Sequence, residues 1–418
     1  MKARFVLLLF LAVASVGLAY WEEENLASPK SAQQNPYHIP SDKFQTRFET
    51  ENGNRIRVLE EFDKLSEHLQ FLRDYRIVEY RIRPRTAVLP HHSDAEYVLV
   101  ITRGKAIVQL LTHPNDVQLL LLKQFDVLTV PAGAISYTIN RDGDDNLEFI
   151  KLALPQNNPG QFQNLYPAGN YTPSSYYQVF RQKTLQAAFN ASYEEIKDAL
   201  WGPNQWKNEV VVKLTHKKIR SLIKRAQSSS TKHGPFRLRN PVEPRYSNKH
   251  GSFYETWPLE KYPSLEDLGV SASHLKLKEE SLFLPHFNSK GIILAYVADG
   301  EGYYQLGSPY PINKQQQQQQ EGLIERLTAN VTRRDLYIIP AGYPVAVNAL
   351  EETQLEVVEF MLNAHNNTRK FLIGEGDNVV KQIDPVLLSK SSPEKVKELF
   401  NHQDKSYFVN LEDQPDEE

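Results

Sequence analysis

The strongest constraint on the fold is an internal repetition. Leu89-Pro90-His91-His92 is followed by an apolar run at 97–101, by Gly104 and, later, by Val130-Pro131-Ala132-Gly133. Leu284-Pro285-His286-Phe287 is followed by an apolar run at 292–297, by Gly300 and, later, by Ile339-Pro340-Ala341-Gly342. The two Leu-Pro-His elements lie roughly 200 residues apart, as do the two Pro-Ala-Gly elements, and that spacing is the length of one large domain. A chain of 418 residues therefore reads as two copies of one plan. The texture inside each copy is β. At 76–83, Val78, Tyr80 and Ile82 alternate with charges, and short β-rich runs follow at 106–111, 117–122, 127–130 and 147–154. The runs at 292–297, 336–339 and 355–362 repeat this in the second copy. Turn residues separate the runs, as in Thr102-Arg103-Gly104 and His113-Pro114-Asn115-Asp116. Many short strands at close spacing predict a sandwich or barrel.

Helices follow each set of strands. Ser192-Tyr193-Glu194-Glu195 is a capping box that opens a helix carrying Ile196, Ala199 and Leu200 and ending at Trp201-Gly202-Pro203. A second helix from about residue 215 carries Ile219, Leu222, Ile223 and Ala226. In the second copy Ser392-Pro393-Glu394 places proline at the first helical position, and Val396, Leu399 and Phe400 form the apolar stripe. These stripes pack either on their own core or on a neighbouring chain, because a short helix needs a surface to lean on. Serine, basic residues and proline at 228–244 predict an exposed joint between the copies, and the six glutamines within 314–321 predict a second exposed segment.

Composition narrows the chemistry. There is no cysteine, which excludes disulfides, thiolate metal sites and cysteine nucleophiles. The net charge of −3 gives no basic excess for nucleic acid. Asparagine and glutamine together make up roughly an eighth of the chain, above the usual share. The first residues, Met1-Lys2-Ala3-Arg4 followed by an apolar run to Leu18, read as a secretory signal peptide cut after Ala19. After that cut no membrane association is expected. Asn170, Asn190, Asn330 and Asn366 open Asn-x-Ser/Thr triplets and are the glycosylation candidates.

Taken together these residues resemble a two-domain cupin, and more narrowly a vicilin-type (7S) seed storage globulin. The resemblance is carried by Asn35-Pro36-Tyr37, Phe44-Gln45-Thr46, the 72–76 stretch, the 89–94 stretch and Pro131-Ala132-Gly133. In the second copy it is carried by Tyr246-Ser247-Asn248, Leu284-Pro285-His286-Phe287-Asn288-Ser289-Lys290, Pro340-Ala341-Gly342-Tyr343-Pro344 and Ser406-Tyr407-Phe408-Val409. It implies a mainly β fold with helical extensions: two cupin (jelly-roll) β-barrels in tandem, each followed by a small α-helical arm. The expected organisation is a signal peptide at 1–19, an N-terminal segment at 20–35, a first barrel and arm at 36–227, a linker at 228–245, a second barrel and arm at 246–409, and an acidic tail at 410–418. The resemblance further implies a homotrimer joined by the arms, delivery through the secretory pathway to protein storage vacuoles, hydrolysis by germination proteases, and allergenicity in many relatives. The acidic close at 412–418 lacks the apolar tail tied to vacuolar delivery in many vicilins.

Metal-dependent cupins hold a divalent ion with three imidazoles and one carboxylate facing into the barrel. Carried over by position, His91 matches the first imidazole, Ser93 stands at the second, Tyr97 at the carboxylate and Ser136 at the third imidazole. In the second copy His286 matches, Asn288 replaces the second imidazole, Ile292 or Ile293 stands at the carboxylate and Val345 at the third imidazole. One ligand of four survives in each. A register shift to recruit His92 and Glu96 turns His91 outward, since adjacent strand residues face opposite ways. Asp94 and Glu96 read instead as surface charges with Arg103 and Lys105. The expectation is no catalytic residue, no metal and no cofactor, in a nutrient reservoir of amino nitrogen. The alternative is a bicupin that binds a small ligand, sugar or metal, in a defence or transport role, with Tyr137 or Tyr343 lining the pocket.

Overall fold

The computed structural model describes residues 35–170, 174–203, 209–226, 231–239, 242–310, 312, 324–374, 378–402 and 406–412. The signal peptide, nearly all of the 20–35 segment, the glutamine tract and the end of the acidic tail lie outside the described residues. Residues 36–418 form one compact unit, and all that follows concerns it.

Each copy builds a pair of antiparallel sheets. In the first, a seven-stranded sheet runs in the order Phe236–Arg237, Asp126–Val130, Ala95–Arg103, Leu147–Pro155, Arg76–Ile82, Arg55–Leu59, Phe44–Glu49. It packs on a five-stranded sheet ordered Val211–Lys213, Thr86–Val88, Ile135–Asn140, Lys105–His113, Asp116–Lys123. In the second, the seven strands are His38–Ile39, Leu336–Ile339, Ile292–Gly300, Leu355–Leu362, Ser271–Leu277, Gly251–Glu255 and Tyr246–Ser247. Their partner sheet contains Glu325–Val331, Gly302–Ser308, Val345–Ala349, Ser281–Asn288 and Arg369–Phe371. The strands of each half stay in separate sheets and do not close into one ring.

The central strands are apolar on both faces, which explains their unbroken hydrophobic runs. On Ala95–Arg103, residues Tyr97, Leu99 and Ile101 join the interior of the first half. The alternating residues Val98 and Val100 join a second cluster, shared with Leu294, Tyr296, Leu336 and Val358 of the other half. Period-two alternation thus separates two buried environments rather than core from water. The two halves are packed back to back through their large sheets.

Each half also completes the other's sheet. His38–Ile39, just ahead of the first half, pairs with Leu336–Ile339 of the second. Phe236–Arg237, just ahead of the second half, pairs with Asp126–Val130 of the first. The expectation that 228–244 is an exposed joint is therefore corrected for its described middle part. Phe236 and Leu238 are buried, because an open sheet edge satisfies the backbone of any segment laid along it, whatever its composition.

Two further equivalent features lie at the seam. Phe125 and Arg334 both adopt the left-handed conformation, at φ 63° and 77°. Their N–H groups donate to Ile101 O and Val297 O at 2.7 and 2.8 Å. One turn presses the Phe125 ring on His274 of the second half, 3.7 Å between centroids. The other sends Arg334 toward Glu79 and Glu148 of the first half. Gly104 and Gly300 are likewise equivalent, at φ 84° and 81°. A Cβ there would meet Asn146 O at 2.7 Å and Gln354 O at 1.6 Å, so only glycine fits the turn.

The helices divide into two kinds. His216–Arg225 lays Ile219 and Leu222 on Ala87, Ile107, Leu119 and Ile139 of its own sheet, so this stripe does not reach for a neighbour. Gln182–Phe189 and Tyr193–Leu200 form an arm with a small core of Leu185, Ile196 and Trp201. The capping box is formed, with Ser192 N donating to Glu195 Oε2 at 2.9 Å and Glu195 N donating to Ser192 Oγ at 3.3 Å. Ala199 of that stripe is exposed. In the second half Pro385–Leu388 and Pro393–His402 bury no residue at all.

Candidate functional site

The interior of each half is where a cupin site would lie, and the two interiors can be superposed residue by residue through their pairing. His91 is buried and hydrogen-bonds through Nδ1 to Leu89 O at 2.8 Å. His286 is buried and does the same to Leu284 O at 2.8 Å. Tyr166 lies 5.4 Å from the His91 ring, and Phe371 lies 5.3 Å from the His286 ring. Ser93 O accepts from Gly133 N, and Asn288 O accepts from Gly342 N, both at 2.8 Å. The repetition seen in the sequence is thus a repetition of local geometry.

Among the described residues no set of ligands gathers round these imidazoles. In the first half the Ser93 and Tyr97 hydroxyls lie 2.8 Å apart, and Tyr97 Oη donates onward to Asn164 Oδ1 at 3.4 Å. Ser136 is buried and bridges His91 through backbone bonds only. In the second half Asn288 Oδ1 accepts from Asn367 Nδ2 at 3.1 Å. Val345 pairs directly with His286, and Ile293 is buried among hydrocarbon. Among the described residues no cluster of three His, Asp or Glu is placed to hold an ion. Burial pushes His91 down to about 4, helped by the Lys151 charge. Burial pushes His286 down to about 3, helped by Arg369. Both imidazoles are neutral at pH 7.

His92 does turn away, with its ring 5.5 Å from Tyr176 of the arm. The expected surface cluster with Arg103 and Lys105 does not form. Asp94 accepts from Gln163 N at 2.7 Å and Asn157 Nδ2 at 3.4 Å. Burial raises Glu96, followed by the charge of Asp267 from the second half. Tyr137 lies outside the first interior, whereas Tyr343 is buried in the cluster that holds Phe283, Val345 and Phe371. Tyr137 donates to Gln109 Oε1 at 2.5 Å beside the helix His216–Arg225, and Tyr343 meets Tyr37 edge-on at 5.9 Å.

What composition and motif matching miss is a pair of buried charges. Lys151 and Glu359 occupy equivalent places on equivalent strands: Lys151 pairs with Val78 and Leu99, and Glu359 pairs with Ser273 and Ala295. Glu359 is answered. Ser273 Oγ donates to it at 2.7 Å, and Arg369 lies 3.8 Å from it and 3.7 Å from Glu255. Among the described residues no carboxylate pairs with Lys151. Its Nζ lies over the rings of Tyr97, Tyr80 and Phe149, 4.8, 4.9 and 5.8 Å from their centroids, and burial lowers it to about 8. The signal in the sequence was a lysine inside the apolar run 147–154, and only the pairing register shows that it faces inward.

Comparison with known proteins agrees with this geometry. The cupin family matches at residues 48–197 and 236–392. Conglutin beta 3 of Lupinus angustifolius is 40% identical over 403 residues, covering 91% of this chain and 68% of that protein. Conglutin beta 2 of Lupinus albus is 40% identical, covering 90% and 74%. The vicilin of Corylus avellana (hazelnut) superposes with a TM-score of 0.82 at 29% identity, covering 90% of this chain and all of that one. The vicilin of Capsicum annuum gives 0.81 at the same identity, covering 90% of this chain and 100% of that one. The chain belongs to the cupin family and, within it, to the vicilin-type (7S) bicupin seed storage globulins.

Proposed function

We propose that this storage globulin is a non-catalytic homotrimer joined through its arms. In this reading it travels the secretory route to protein storage vacuoles and is consumed by proteases at germination. The observation that carries the reading is that each interior keeps a single neutral imidazole where a metal enzyme needs four ligands. Buried serine, tyrosine, asparagine and valine fill the remaining positions. Such an interior has burial to offer and no open coordination site. The trimer rests on the arms. Leading into the first arm, Val179 is 79% exposed and Phe180 more than half exposed, and on the second arm Leu387 is 80% exposed, with Val386 and Leu399 more than half exposed. Apolar helix faces left bare on a single chain need a partner, and a second arm without any buried residue has no core of its own. The amide-rich composition suits a reservoir of nitrogen. Asn190, Asn330 and Asn366 are exposed and Asn170 is half-buried, which makes the first three the better-placed glycan acceptors. Elemental analysis of gently purified protein tests the non-catalytic reading: no stoichiometric transition metal is expected, and one manganese or copper per chain overturns it.

A second reading coexists with storage and replaces the sugar-or-metal alternative. Lys151, caged by three rings and paired with no carboxylate among the described residues, favours a small organic acid inside the first half, because a buried ammonium gains most from a paired anion. The equivalent place in the second half is already filled by the chain's own Glu359 and Arg369. Native mass spectrometry of the purified protein checks this: one small acid per chain supports it, and a chain free of adducts counts against it.

A further inference from the structure

The two equivalent joints at the seam differ in charge, and the difference is large. At one joint Phe125 covers His274, and Glu356 is met by Lys276 at 3.0 Å, His274 at 3.5 Å and Arg239 at 4.0 Å. At the other, Arg334 stands where Phe125 stood. Arg333 Nη2, Arg334 Nη2 and Arg81 Nε approach the single carboxylate of Glu148 at 2.7, 3.4 and 3.7 Å. Arg57 Nη2 and Arg334 Nε approach Glu79 at 2.5 and 3.6 Å. Arg55 lies directly across the strand pair from Arg81. Burial lowers it, and the charges of Arg57 and Arg334 lower it further. Four guanidinium groups thus share two buried carboxylates, and Arg55 stands beside them as a fifth. Other acids near this joint are Glu49, exposed and across the strand from Arg55, Asp299, 3.7 Å from Arg333 and largely in water, and Asp335, buried in the same turn and held by Thr332 and Ser41.

The donors are also in excess. The Nε atoms of Arg55, Arg57, Arg81 and Arg334 are buried without a hydrogen-bond partner. Each guanidinium offers five N–H groups in a planar fork that matches a tetrahedral oxyanion. Like charges set opposite one another in a sheet are unfavourable unless something neutralises them. The side chains of Arg81 and Arg333 are 37% and 36% exposed, so the crease is open to solutes.

We propose that this crease between the two halves, rimmed by Arg55, Arg81 and Arg333, binds a small multivalent oxyanion of the phosphate type. The proposal is independent of the storage reading and of the first-half interior. Equilibrium dialysis at low ionic strength with labelled inorganic phosphate and pyrophosphate tests it, with acetate as the singly charged comparison. One pyrophosphate per chain is expected, bound more tightly than phosphate and far more tightly than acetate. It should weaken steeply as salt rises, since the rim is solvent-facing. The double substitution Arg55→Ala/Arg81→Ala should weaken pyrophosphate at least about tenfold, as loss of two charge-assisted donors implies. Arg239→Ala at the other joint should leave binding unchanged. A thermal melt with and without pyrophosphate shows that each variant is folded and reads the same binding as a shift in Tm. Absence of binding to the wild-type chain overturns the proposal, as does binding that the double variant keeps or that Arg239→Ala removes.

Discussion

Replacing Lys151 by methionine should make this protein more stable, although the substitution deletes a buried charge from the centre of a domain. The side chain is 4% exposed in residue terms, and burial moves its amine from an ordinary 10.5 to about 8. That lowering corresponds to roughly 3 kcal/mol of penalty for keeping the ammonium protonated inside the fold. The three rings return part of it, about 1–2 kcal/mol for a desolvated cation over aromatic faces. Methionine keeps the length of the stem and its contacts without the charge. The net expectation is a gain of roughly 1–2 kcal/mol at pH 7, or about 1–2 °C in Tm for a chain of this size. The pH dependence gives an independent check. Below about pH 8 the amine is protonated in both folded and unfolded chains, so the penalty is constant. Between about 8 and 10.5 the folded amine loses its proton while the unfolded one keeps it, so wild-type stability rises with pH. The advantage of Lys151→Met should therefore shrink across that window. Urea unfolding at fixed protein concentration, at pH 7 and pH 10, measures both effects. A variant less stable than wild type by more than about 1 kcal/mol, or an advantage that ignores pH, refutes the reasoning.

Three other outcomes follow from the same structure. Arg369→Met leaves Glu255 and Glu359 buried without their shared cation, and should cost about 3–5 kcal/mol in chemical denaturation. His91 and His286 have folded pKa values held down to about 4 and about 3, so the stability tied to their neutrality is present above about pH 6.5 and drains away as pH falls. Each withdraws roughly 3 kcal/mol by pH 4, and His286→Gln should flatten the acid limb of a stability-against-pH curve. Leu387→Asp places a charge on the bare second arm, and should lower the assembly state seen by sedimentation while leaving the far-ultraviolet circular dichroism of the β body unchanged.

Much of the fold was legible in the sequence because repetition and alternation are strong signals. The strand at Leu336–Ile339 and the strand at Leu355–Leu362 lie where the apolar runs predict them, and Ser192 caps its helix as the Ser-x-x-Glu spacing requires. The helix Gln182–Phe189 was not foreseen, since Arg181 at its start supplies no capping side chain. The seam was hidden for a different reason. Val98 and Val100 look like ordinary core, and nothing local distinguishes a residue facing its own jelly roll from one facing the other half. The strand exchange was hidden too, because Phe236–Arg237 gains its order from a distant edge and not from its own propensity. At the site, substitution of the ligand positions could be read by matching motifs. The contrast between Lys151 and Glu359 could not, because it depends on register across two strand pairs.

On the reading proposed above, the bare arms join three copies of an inert double cupin. Light scattering coupled to size exclusion, at moderate salt and neutral pH, tests it most directly. The expected particle has three times the mass of one chain, at all concentrations down to the micromolar range. A particle of one chain's mass, with Val179 and Leu387 left facing water, would contradict the claim.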